Sequence, residues 1–243
     1  MIDDAKQWLQ KSGAYPMARG VYRAVSPKHR TERRLRRDFF ASLVKPGDLC
    51  FDIGANVGQS IEALRKCRAK VVALEPNPHC LPALAYQFGN DKEVQIVAKA
   101  VGAAPGTAQL HFSGTAATAS LRSDWNKADD QQVDTEVVTL EQLIAAHGRP
   151  VMLKVDVEGF EKEVFLGLAQ PVPLIYFEMH AREIDTVHFV LKHLSSLGRV
   201  QEVNAISEDH GTWLLKEWVG ADDFVDALRP LPQVANVVVR MAA

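Results

Sequence analysis

The chain is predicted to fold as an α/β protein built on a doubly wound, mostly parallel sheet. From residue 49 onward, short apolar runs alternate with stretches of helical periodicity. The runs are nearly continuous in apolar character, which suits strands covered on both faces. A glycine-rich turn, Gly54-Ala55-Asn56-Val57-Gly58, joins the first run to the first following helix.

Residues 3–43 read as helical. From Pro27 to Leu43, Leu35, Phe39, Phe40 and Leu43 share one side, with Arg33, Arg34, Arg36 and Arg37 elsewhere. Lys45-Pro46-Gly47-Asp48 breaks the pattern. Leu49 to Ile53 is the first strand, and its helix carries Val57, Ile61 and Leu64. Val71 to Leu74 is the second. Its helix holds Leu81, Leu84, Ala85 and Phe88 and stops at Gly89-Asn90. Val94 to Ala98 is the third strand. Residues 103–137, rich in Gly, Ala, Thr, Ser and Asp, read as a short hairpin with Leu110 and Phe112 alternating, followed by a mobile loop. Thr139 and Gln142 form a capping-box pattern for a helix through His147. Val151 to Val155 is strand four, with a helix over about residues 159–168, and Leu174 to Phe177 is strand five. A helix holding Ile184, Val187, Val190, Leu191 and Leu194 stops near Gly198. Val200 to Val203, Thr212 to Leu215 and Asn236 to Met241 are late strands. No flexible linker interrupts this order, so the expected organisation is a basic helical extension over 1–43 and one domain over 44–243.

The 243 residues carry a net charge of −2, which predicts no strong overall attraction to nucleic acid or membrane. The charge is uneven. Residues 1–40 hold ten Lys and Arg against four Asp and Glu, and the remainder holds 18 against 26. Lys28, His29, Arg30, Arg33, Arg34, Arg36 and Arg37 fall within ten residues. They suit a clamp for an anionic acceptor, such as a phosphorylated or nucleotide-linked sugar. The alternative is a solvated face that pairs with the acidic body. Little aromatic interleaving is present, which argues against nucleic acid. Cys50, Cys67 and Cys80 are odd in number and lack metal-ligand spacing, so a reduced, cytoplasmic setting is expected. No secretory signal and no apolar run of membrane-span length is visible.

The glycine turn has a defined use. Glycines let the backbone pass close under a ligand and take positive φ. The helix start presents unpaired N–H groups. Asn56 stands where the dinucleotide fingerprint would need its middle glycine, and Asp52 precedes the loop. A carboxylate there suits the ammonium of a zwitterion better than a pyrophosphate. Glu75 ends the second strand, where an acid can accept both ribose hydroxyls of an adenosine. Pro76 and Pro78 stiffen the turn that follows. Together, on consecutive βα units, these features point to an adenosine-containing cofactor.

At these residues the sequence resembles the class I S-adenosylmethionine (SAM)-dependent methyltransferases and, more narrowly, the FkbM family. The resemblance runs from about residue 38 to the C-terminus. It rests on Lys45-Pro46-Gly47-Asp48 entering Asp52 to Gly58, on Glu75-Pro76-Asn77, on Ala100-Val101-Gly102 and on Thr139-Leu140-Glu141. The narrowest marker is Lys154-Val155-Asp156-Val157-Glu158-Gly159-Phe160-Glu161, with Phe177-Glu178-Met179-His180 similar to the family's strand-five ending. The family implies a Rossmann-like sheet of seven strands with the last antiparallel. It also implies O-methylation of hydroxyls on sugars, lipids or polyketides. The cofactor set is then Asp52, Gly54, Ala55, Asn56, Gly58, Gln59, Ser60, Glu75, Pro76, Asn77, Ala100 and Val101.

Methyl transfer to an alcohol needs an aligned acceptor, exclusion of water and removal of a proton. Asp156 and Glu158 follow strand four, and Glu178 and His180 end strand five, at the edge where ligands bind in doubly wound sheets. The base is expected among Asp156, Glu158 and His180, with Lys154 and Glu178 in the same cluster. Lys154 and Glu161 can alternatively form a structural charge pair. No metal is expected, since His188 and His193 lack ligand spacing. Competing readings are an N- or RNA methyltransferase and a non-catalytic SAM- or adenosine-binding protein. The oligomeric state is open.

Overall fold

The structure is a computed structural model that describes residues 27–112, 119–125, 131–230 and 232–242. The helix expected before residue 27 lies outside the described residues. So do residues 113–118 and 126–130 of the expected mobile loop.

Helix α1 (Pro27–Ala41) leads into β1 (Leu49–Ile53), α2 (Gln59–Lys66), β2 (Lys70–Leu74), α3 (Leu81–Phe88) and β3 (Val94–Val97). Next come β4 (Ala100–Val101), β5 (Gly106–Phe112), β6 (Ala119–Ser120) and β7 (Gln131–Val138). Then follow α4 (Leu140–His147), β8 (Met152–Val155), α5 (Glu161–Leu166), β9 (Leu174–His180), α6 (Ile184–Leu197), β10 (Val200–Ile206), α7 (Phe224–Ala227) and β11 (Val234–Met241).

The main sheet has seven strands in the order β10-β11-β9-β8-β1-β2-β3. From β9 to β3 every neighbour is parallel, and β11 runs antiparallel to both β9 and β10. This is the expected doubly wound sheet with an antiparallel last strand. The register sets Ile53 beside Leu74 and Val155, and Val155 beside Phe177. The C-terminal ends of β1, β2, β8 and β9 therefore share one edge.

Alternation along the strands sends side chains into two cores. Phe51, Ile53, Leu153, Val155, Ile175 and Phe177 meet α4, α5 and α6 on one face. Cys50, Ala73, Met152, Leu174 and Tyr176 meet α1, α2 and α3 on the other. Phe39 and Phe40 of α1 are buried in that second core, and each such side chain contributes about 1.5–3 kcal/mol when fully buried. Asp52 and Lys154 occupy the same face, one residue on from Phe51 and Leu153, so a charged pair is enclosed beneath α1.

The capping box forms as expected: Gln142 N–H donates to Thr139 Oγ1 at 3.2 Å, and Thr139 N–H donates to Gln142 Oε1 at 3.0 Å. Two expectations are corrected. The hairpin within 103–137 is long. Strands β5 and β7 pair from Gly106↔Val137 to Phe112↔Gln131 and, with β4 and β6, make a second four-stranded sheet. Its outward residues are polar, such as Gln109, Gln132 and Glu136, and a half-solvated strand lacks the continuous apolar run that marks the main sheet. Thr212 to Leu215 is not a strand. It makes only an isolated bridge, Ile206↔Trp213, beside a second at Val203↔Val219. The segment crosses the edge of β10 in turns, held by Trp213 against Trp218 with ring centroids 5.0 Å apart.

Candidate active site

A cavity of about 360 Å³ opens at the shared C-terminal edge. One side of it is mostly backbone. Gly54, at φ 80°, turns the chain out of β1, and its N–H and that of Ala55 both donate to Leu74 O at 3.0 Å. A Cβ on Gly54 would stand 1.8 Å from the Asp156 carbonyl oxygen, so only glycine lets the loop pass. Asn56 also takes positive φ, and Gly58 at φ 87° caps the N-terminus of α2 against Phe88.

Glu75 joins this loop to the next. Its Oε2 accepts from Asn56 N–H at 2.6 Å and its Oε1 from Asn77 N–H at 2.9 Å. Each oxygen keeps a second lone pair. Burial pushes its carboxyl up to about 7, against the pull of the two backbone donors. Of the residues expected to hold the cofactor, Gly54, Asn56, Gln59, Ser60, Glu75, Pro76, Asn77, Ala100 and Val101 line the cavity. Asp52, Ala55 and Gly58 stand behind that wall, buried.

Asp52 has its ammonium inside the chain. Lys154 Nζ lies 2.9 Å from Asp52 Oδ1 and 3.3 Å from Asp156 Oδ2, and it donates to Gly54 O at 3.3 Å. The Asp52 contact is an ion pair without an aligned hydrogen bond. Burial works against the lysine charge, but the two carboxylates outweigh it and hold the ammonium above the ordinary lysine range. Lys154 thus pairs with Asp52 and Asp156, and not with Glu161. Glu161 Oε1 instead accepts from Val157 N–H at 3.1 Å and Gly159 N–H at 3.3 Å, tying down the loop after β8.

The opposite side is made of side chains. Asp156, Glu158 and Glu178 line the cavity with Lys154. His180 stands just behind them, its Nε2 2.9 Å from Glu178 Oε2. The donor atoms of Glu158, Glu178 and His180 lie within 4.8 Å of one another. Burial, then the charges of Asp156 and Glu178, push the Glu158 carboxyl up to about 7. The hydrogen bond to Glu178 raises His180, outweighing burial. Glu158 itself is held at φ 54°, a strained conformation for a side chain of its size.

Trp125 covers this cluster, and sequence reasoning missed it. Its Nε1–H donates to Glu158 Oε2 at 3.0 Å, and its ring meets His180 edge-on with centroids 5.0 Å apart. The Arg182 guanidinium stands 4.0 Å from the ring centroid. A Cβ on Gly159 would come within 2.2 Å of the Trp125 ring, so that glycine is what admits it. Ser120 Oγ donates to Glu158 O at 2.8 Å, fastening the same segment.

Arg36 of the basic segment also lines the cavity, with Tyr176, His210 and Asn236, which were not anticipated. Tyr176 was findable: it lies two residues before Glu178 on β9 and so shares its face. Asn236 pairs with Glu178 across β11 and needs the antiparallel register. His210 sits in a loop 34 residues from Tyr176, yet its Nε2 lies 2.8 Å from the Tyr176 hydroxyl. Burial, then the charges of Arg36 and Lys154, push His210 down to about 3, so it stays neutral.

The sequence matches the family model described as "Methyltransferase FkbM domain" over residues 52–201. It matches no curated protein. Solved structures give fold likeness at low identity. A TehB-like SAM-dependent methyltransferase from Corynebacterium glutamicum is 10% identical, over 86% of this chain and 88% of that one, with TM-score 0.49. Precorrin-6y C5,15-methyltransferase from Geobacter metallireducens is 13% identical, over 86% and 87%, with TM-score 0.45. Aeropyrum pernix fibrillarin, solved with bound S-adenosyl-L-methionine, is 11% identical, over 82% and 68%, with TM-score 0.46.

Proposed function

The chain belongs to the FkbM methyltransferase family and is a SAM-dependent methyltransferase; from that premise we propose that it methylates a hydroxyl oxygen of a sugar, glycan, glycolipid or polyketide-type acceptor. The observation that carries this reading is the position of Glu158. It faces the cavity, accepts a hydrogen bond from Trp125 and has its carboxyl raised to about 7. A carboxylate so tuned can take the proton of an alcohol near neutral pH.

The residues on the cavity wall fit SAM. The Gly54 turn admits a ligand close to the backbone, and Glu75 keeps lone pairs for ribose hydroxyls. Gln59 and Ser60 line the cavity at the start of α2, the end at which a helix leaves N–H groups without intrahelical partners. When bound, SAM supplies a methyl group activated by its sulfonium. Glu158 would then have one task, to accept the proton of the acceptor hydroxyl. The Glu178–His180 pair and Trp125 position Glu158. Lys154 pairs with Asp156, and the Asp156 charge adds to the proton affinity of Glu158. Trp125 covers the cluster and keeps water from it.

The test is S-adenosylhomocysteine release from SAM against panels of hydroxylated sugars, glycolipids and polyketide alcohols, with the product position read by mass spectrometry and NMR. Transfer to oxygen supports the reading. Transfer only to nitrogen or to RNA overturns it.

A further inference from the structure

The reaction reading leaves the arginines of α1 without a role. Arg30, Arg33, Arg34 and Arg37 stand at i, i+3, i+4 and i+7, so they form one stripe on the helix. Like charges at these spacings destabilise a helix. Such a stripe therefore calls for a compensating anion.

The body of the protein supplies little of it. The stripe lines a second cavity, of about 300 Å³, between α1 and α2. Arg30, Arg33, Arg34, Arg36, Arg37 and Lys66 meet there around one carboxylate, Glu62. Glu62 pairs with Arg33, and Arg37 pairs with its exposed neighbour Asp38 at 2.7 Å. Among the described residues no acid pairs with Arg34 or Arg36.

The groove also joins the active site. Arg36 and Gln59 line both cavities. Arg36 is half-buried, and its charge reaches Asp52, Tyr176 and His210 beneath α1. Anions bound in the groove would thus lie one side chain away from the space where the acceptor must sit.

We propose that the α1–α2 groove is a phosphate-binding subsite for the acceptor: it holds a phosphoryl or diphosphoryl group while Arg36 links that group to the methyl-transfer cavity. This rests on the hydroxyl-acceptor reading above and narrows it to phosphorylated acceptors. Arginine forks bind phosphate oxygens in pairs, which suits this lining. The stripe from Arg30 to Arg37 spans about 10 Å along the helix. That is the size of a phosphorylated head group and is short against the roughly 4–16 nucleotides of a single-strand binding site. Among the described residues no aromatic side chain lines the groove to stack a base.

The test is calorimetric titration of inorganic pyrophosphate into the full-length protein saturated with S-adenosylhomocysteine, which keeps the cofactor site filled. Binding should occur and weaken at least tenfold in the Arg34→Ala/Arg36→Ala variant. Arg199→Ala, which removes an exposed arginine elsewhere, should change it less than twofold. Should the double alanine variant melt early, Arg34→Gln/Arg36→Gln keeps the side-chain stems and gives the same comparison. The proposal is overturned if pyrophosphate does not bind at millimolar concentration, or binds the variants as well as the parent. It is also overturned if a 20-nucleotide RNA binds more tightly than pyrophosphate and depends on the same arginines. S-adenosylhomocysteine binding and the acceptor screen report on the methyltransferase reading separately, so either can fail without the other.

Discussion

At the ends of β1 and β2 the cavity wall is mostly backbone, held by two glycines at positive φ and one carboxylate bridging two loops. At the ends of β8 and β9 it is side chain: Glu158 and Glu178, backed by His180 and covered by Trp125, with Tyr176, His210 and Arg36 farther along. The first wall comes from a short continuous stretch and one residue 19 positions away. The second gathers residues from α1, the segment after β6, β9 and the loop after β10. Backbone recognition tolerates little change and serves a ligand common to a family. Side-chain recognition can be re-cut without disturbing the sheet, so this wall, the acceptor side under the proposed function, is where one member can differ from another.

This comparison breaks most visibly at the two glycines. Gly54→Val places a Cβ against a backbone carbonyl at positive φ, where neither can yield. It should cost about 3 kcal/mol or more and remove measurable SAM binding; both follow from a thermal melt and a SAM titration. Gly159→Ala is also strained, at φ 90°, but its Cβ meets a ring and not a backbone carbonyl, so SAM affinity should survive while turnover falls about tenfold, by roughly one hydrogen bond's worth of misplaced Glu158. Equal damage from both would mean that the two walls are one unit.

The carboxylates should separate next. Glu158→Gln should lower kcat by about 10²–10⁴ and leave SAM affinity within twofold. Glu75→Gln should do the reverse, weakening SAM by about 10–100-fold, as expected for loss of a charged acceptor. Retained kcat in Glu158→Gln would remove its assignment as base. A smaller effect sharpens the same point through pH. A base with its carboxyl at about 7 works deprotonated, so kcat/KM should rise about tenfold per pH unit below 7 and level off above it.

The smallest expected effect is on stability. Burial raises Glu161 from 4.5 to about 7, against its own backbone donors. Its folded-state value lies above its unfolded one, so the folded protein binds the extra proton. The associated stability is present below about pH 4.5 and is lost as pH rises through 7. Glu161→Gln keeps an oxygen for the N–H groups of Val157 and Gly159 and has no proton to lose. Between pH 5 and 8 its melting temperature should fall less than that of the parent, by a few degrees.

Much of this was legible in the chain and some was not, for reasons that differ by residue. The run from Lys154 to Glu161 announces a special loop, but which partner Lys154 chooses depends on β1 lying beside β8, which sets Asp52 opposite it. Trp125 carries no local signal: it lies in a polar stretch that reads as loop, and its role exists only because Gly159 leaves room for a ring. His210 is similar, a lone histidine made significant by Tyr176 across the fold. The β5–β7 hairpin was underestimated because Leu110 and Phe112 show their alternation, whereas the polar residues on the wet face of β7 hide its share.

The sequence by itself determined the alternating β/α order, the glycine turn after β1 and the place of Glu75 at the end of β2, since these depend on local periodicity, turn chemistry and strand ends. It also placed the arginines on a single helix. Only the tertiary structure decided that Asp52 is neutralised by Lys154, that Trp125 roofs the acidic cluster, and that Arg36 stands between a basic groove and the active-site cavity. The physical reason is that backbone conformation follows from neighbours in the chain. Desolvation, charge pairing and cavity shape follow from neighbours in space.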